Sequence, residues 1–119
     1  MKRLDDLQSA AGERLTRSAR ASLEAQVAEG ETVVLSTPLA ASALLLTDKR
    51  LLVAPALRGA EPEINVPLRA VNNVAWQKGL LGSAGTLTIT TGSGVHKYKA
   101  RNHQGEPIAV RLRQAIAGV

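Results

Sequence analysis

Residues 44–53 read Leu-Leu-Leu-Thr-Asp-Lys-Arg-Leu-Leu-Val, two aliphatic runs parted by a polar break too short for anything but a turn. Leu and Val favour a buried pleated surface, whereas Thr47, Asp48 and Lys49 supply side chains that bond nearby backbone or tolerate turn dihedrals. The spacing predicts a β-hairpin. The same texture continues on either side of it. Short β-type runs are expected at residues 32–36, 41–46, 50–54, 63–66, 71–77, 86–91 and 95–101, seven candidate strands in all. Pro38, the Pro55 to Pro62 loop, Pro67, the Gly79 to Gly85 loop and Gly92-Ser93-Gly94 separate them, as in an antiparallel sandwich or barrel. Leu87 and Ile89 alternate with Thr86, Thr88 and Thr90, and Val74 and Trp76 with Asn73 and Ala75, so these two strands should have one dry and one wet face.

Both ends read as helix. Leu4, Leu7, Ala11, Leu15 and Ala19 recur three or four apart and Glu13–Arg17 and Arg20–Glu24 are spaced for helical ion pairs, which predicts a helix from about Leu4 to Ala28 that Gly30 ends. Gly12 weakens it and allows a bend. Near the C-terminus Ile108, Leu112 and Ile116 repeat every four residues. An amphipathic helix is expected there after a turn at Asn102 to Gly105, with Pro107 in its first turn.

A chain of 119 residues makes one domain with a single core. One Trp, one Tyr and no Phe leave that core to Leu, Val, Ile and Ala, and the absence of cysteine excludes disulfides and thiolate metal sites. Acids follow Lys2 and Arg3 in place of the apolar run of a signal peptide, and no uncharged stretch reaches the roughly 20 residues of a membrane span. The expectation is a cytoplasmic protein that is not transmembrane. Net charge is +5 and unevenly placed: from Ile64 to Val119 there are seven basic side chains and one acidic, and between Ile64 and Gly105 no acid at all. That half should carry a positive potential that attracts anions.

Several stretches in order resemble pleckstrin-homology-like (PH-like) domains, in particular the bacterial YokE-like group. They are Glu31 opening the first strand, Leu45-Leu46-Thr47-Asp48-Lys49-Arg50-Leu51-Leu52, Val66-Pro67-Leu68-Arg69-Ala70-Val71, and Lys78-Gly79-Leu80-Leu81-Gly82 leading to Leu87-Thr88-Ile89. The likeness runs from about residue 28 to the C-terminus. It implies a mainly β fold with flanking helices: a seven-stranded bent β-sandwich or partly open barrel, an N-terminal helical segment over 1–30, and a PH-like domain over 31–119 closed by a C-terminal capping helix. Phosphoinositide-binding members hold head groups with bases around the loop between the first two strands. Here that loop is Thr37-Pro38-Leu39, without a base, so the resemblance does not extend to that ligand.

Catalytic chemistry finds little support. His96 and His103 stand alone without ligand spacing, so no metal is expected. Leu81-Gly82-Ser83-Ala84-Gly85 lacks the first glycine of a nucleophile elbow, and no phosphate-binding loop precedes a helix. Asp5, Asp6 and Asp48 suit capping and turns. No cofactor is called for. The candidate binding residues are Lys97, Lys99 and Arg101, which alternate on one strand beside the threonine face of the preceding strand. Outward lysines also serve solubility and guard strand edges. The shortage of aromatic rings argues against nucleic acid. The reading is therefore a non-catalytic interaction or assembly module for a protein partner, or for a second copy through Leu4, Leu7 and Leu15. The alternative is an anionic lipid surface held by the basic strand.

Overall fold

A computed structural model describes residues 23–55, 61–80 and 84–118. Most of the expected N-terminal helix, including Leu4, Leu7 and Leu15, lies outside the described residues, as do Leu81, Gly82 and Ser83. Among the described residues, seven strands form two antiparallel sheets. The first contains β1 (Val33–Pro38), β2 (Ser42–Thr47), β3 (Arg50–Pro55) and β4 (Ile64–Pro67) in that order. The second contains β5 (Val71–Gln77), β6 (Ala84–Thr91) and β7 (Gly94–Arg101), and the helix α1 (Asn102–Ala117) comes after it. A 3-10 turn, Leu68–Ala70, carries the chain from one sheet to the other. The two ladders stay separate, so the molecule is an open sandwich and not a closed barrel.

The hairpin expected at Leu44 to Val53 pairs Leu46 with Leu51, Leu45 with Leu52 and Leu44 with Val53. Thr47 makes the turn: its Oγ1 accepts from the N–H groups of Lys49 (3.1 Å) and Arg50 (3.0 Å). Every residue of β2 is buried, because the first sheet is covered on both faces. Leu35, Leu44, Leu46, Leu51, Val53 and Ile64 face the second sheet, where they meet Val71, Val74, Leu87, Ile89 and Tyr98, with Ile108, Ala109 and Leu112 of α1 closing the core. Val33, Ala43, Leu45, Leu52 and Ala54 face the other way and pack on Leu23 and Val27 of the preceding segment. Fully burying one such leucine is worth roughly 1.5–3 kcal/mol, so the second interface is a substantial part of the fold.

Two β-bulges set which residues face which core. Val33 pairs with Thr47 but Leu35 with Leu46, so the extra residue Val34 puts Val33 and Leu35 on opposite faces despite their even spacing. An equivalent irregularity at Asn72 turns Val71 and Val74 to the same inner face.

The helical residues 23–26 end before Ala28, and Gly30 has φ +86°, the left-handed conformation that favours glycine at a helix exit. At the other end the expected turn at Asn102 to Gly105 is instead the first turn of α1, which places Pro107 inside the helix and exposed His103 on it. Tertiary bonds hold that early turn. Buried Gln104 donates to Thr37 Oγ1 (2.8 Å) and to the Pro38 carbonyl, and Asn102 Oδ1 accepts from Gly79 N–H (3.1 Å).

Candidate functional site

Among the described residues the most densely bonded polar group is built around Glu31, which lies just ahead of the first strand. Its carboxylate is only 3% exposed. One oxygen, Oε2, accepts from Arg50 Nε (2.8 Å) and Thr47 Oγ1 (2.8 Å); the other accepts from the second Arg50 nitrogen (2.9 Å) and the Ala28 N–H (2.7 Å). Arg50 also reaches Asn65 Oδ1 (2.9 Å) on β4 and the Gln26 carbonyl at the end of the short helix. Burial by itself would raise the Glu31 pKa, but hydrogen bonds from Arg50, Ala28 and Thr47, with the Arg50 charge, outweigh it and hold it at about 2. Asp48 completes the junction, its Oδ1 accepting from Thr32 N–H (2.9 Å). A bidentate arginine on a buried carboxylate, fully bonded and closed to solvent, is suited to fastening chain segments. It ties the N-terminal segment, the start of β1, the β2–β3 turn and β4 together.

The sequence-derived candidates Lys97, Lys99 and Arg101 are brought together. All three are exposed on β7, with Tyr98 and Ala100 between them turned into the core. Register extends the face inward: Lys97 lies opposite Thr88, Lys99 opposite Thr86 and Val95 opposite Thr90, and across β5 the same face carries Asn73, Ala75 and Gln77. Lys99 Nζ donates to Thr86 Oγ1 (3.0 Å). This outer face of the second sheet is polar and edged by cations, and its strands contribute no carboxylate to it. The turn between β1 and β2 presents no cation beside it; Leu39 is buried there and Ala40 N–H donates to the Lys99 carbonyl (3.0 Å), fixing the turn against β7.

Sequence reasoning passed over two exposed apolar residues at the ends of this face. Leu80, in the β5–β6 turn, is 98% exposed, and Val95, beside the β6–β7 turn, is 60% exposed. A leucine set between turn glycines was the available signal for the first. Lys78, also exposed, adjoins it.

On the inner face of β7, the Tyr98 hydroxyl and His96 Nε2 are buried without a hydrogen-bond partner among the described residues. Burial, with a smaller contribution from the Glu63 carboxylate, pushes the Tyr98 pKa up to about 12, so the phenol stays neutral at physiological pH. Among the described residues no three His, Asp or Glu side chains gather as a metal site, and no helix is long and apolar enough to cross a membrane. No protein-family model matches the chain, and no curated protein sequence matches it.

Proposed function

We propose that this protein is a non-catalytic interaction module of the PH-like type, and that it docks an anionic partner on the outer face of the β5–β6–β7 sheet. The observation that carries the reading is the unequal cover of the two sheets. Among the described residues the four-stranded sheet is packed on both faces, whereas the outer face of the three-stranded sheet is left uncovered, and that face holds Lys97, Lys99 and Arg101 with no acid contributed by β5, β6 or β7. Uniform sign over a face of this size attracts acidic partners and speeds their encounter.

The PH-like assignment draws support from the order of elements: four strands, three strands, then a helix packed on the second sheet. Fold resemblance says nothing about chemistry by itself. The non-catalytic reading draws on how the reactive side chains are used, since Glu31, Arg50, Thr47 and Asp48 bond to one another or to backbone within the fold.

Residue-resolved amide shifts of the labelled protein, titrated with a decaglutamate peptide, test the docking face. Shifts concentrated on Thr86, Thr88, Lys97 and Lys99, and weakening as salt rises, are the expected result. Shifts scattered over both sheets, or absent, would overturn it.

A further inference from the structure

We infer that the anionic partner is an extended acidic segment of another protein, which joins the second sheet as an added strand along the free edge of β7. The inference rests on the docking-face reading and names its partner and how that partner is held. The outermost strands are β1 and β4 in the first sheet and β5 and β7 in the second, and the fold blunts the edges of all but β7. On β1 the Val34 carbonyl accepts from Arg111 (3.4 Å) and the Pro38 carbonyl from Gln104. On β5 the Val74 carbonyl accepts from Arg113 (3.2 Å), and α1 packs along the strand. The β4 strand is short and ends in Pro67, which has no N–H to offer a further strand.

On β7 the Lys99 carbonyl accepts from Ala40 N–H (3.0 Å), so Lys99 turns its backbone away from β6. The β6–β7 register is unbroken, and backbone direction alternates along an antiparallel ladder. Val95 and Lys97 therefore turn their N–H and C=O groups outward as well, and among the described residues nothing bonds to them. Both residues are exposed. Lysines along an edge discourage pairing with ordinary strands, but a carboxylate directly opposite turns the same charge into an attraction. A second copy of this edge would set Lys97 and Lys99 against like charges, which rules against self-pairing. Residues opposite one another in a ladder share a face, and successive side chains alternate between faces. The segment that fits therefore carries an acid at every second position, on the side of Lys97 and Lys99. Main-chain bonds hold such a strand and the alternate carboxylates select it.

Amide hydrogen exchange of the full chain, with and without a decapeptide of alternating glutamate and threonine, tests the inference. The N–H groups of Val95 and Lys97 should exchange more than about tenfold more slowly when the peptide is bound, because only an added strand gives them acceptors. The same peptide methylated at every backbone nitrogen keeps its charge but has no N–H, and should bind more than about tenfold more weakly. Val95→Pro removes one edge donor and no charge, at a position where the N–H faces outward, and should weaken the unmethylated peptide about fivefold. An unchanged thermal midpoint would show that this variant folds. Amide shifts on β6 and β7 without slowed exchange at Val95 and Lys97, equal binding of the methylated peptide, or equal binding by folded Val95→Pro would each overturn the added strand and leave the docking face standing. Absence of shifts with both this peptide and decaglutamate would remove the two together.

Discussion

Replacing Glu31 by Gln removes the charge on which the junction of the N-terminal segment and the first sheet is organised. The carboxyl pKa falls from an ordinary 4.5 to about 2 on folding, which corresponds to about 3 kcal/mol of stability at neutral pH. The sign is set by proton binding. Between pH 4.5 and 2 the unfolded chain takes up a proton at Glu31 that the folded chain refuses, so stability is fully present above 4.5 and is lost as pH falls toward 2. Glu31→Gln keeps the shape and an acceptor for Thr47 or Ala28, but leaves Arg50, 19% exposed, facing a neutral amide. Urea unfolding at pH 7 should therefore show a loss of about 3 kcal/mol, shrinking below about 1 kcal/mol near pH 2. Other carboxylates titrate in the same window, so the measured quantity is the difference between parent and variant. Parallel stability curves for the two proteins from pH 6 to pH 2 would refute the reasoning.

Gly105→Ala should destabilise the protein although alanine is the better helix former by about 1 kcal/mol. A Cβ at that position overlaps the Trp76 ring, and overpacking of this kind costs about 1–3 kcal/mol; a raised thermal midpoint would contradict it, and pairing the change with Trp76→Leu should recover most of the loss. Leu23→Ala should cost about 2–4 kcal/mol in urea unfolding, since Leu23 is fully buried against the outer face of the first sheet. A change under about 0.5 kcal/mol would mean that the segment does not contribute to this fold.

The strands were legible because their residues state a local preference strongly. Leucine runs about a three-residue polar break make a hairpin in almost any context, and strict alternation on β6 and β7 assigns the basic face without further information. The role of Glu31 was less accessible. Expected to open the first strand, it stands two residues ahead of it, and its partners Arg50 and Thr47 are 19 and 16 residues away with no periodicity to link them. Leu80 reads as an ordinary turn residue until the strands on either side place it at the end of the cationic face.

Sequence alone determined the seven extended segments, the body of α1, the aliphatic core, and the sign of the charge on the second sheet, since each depends on the identity and spacing of near neighbours. Tertiary structure decided which faces are covered. Val33 and Leu35 share a periodicity but separate at a bulge, Gly105 is required because Trp76 lies over it, and the first turn of α1 forms early because Gln104 finds Thr37. Each of these outcomes depends on a contact with a residue distant in sequence, and the energy of such a contact is defined only when the chain has brought its two sides together.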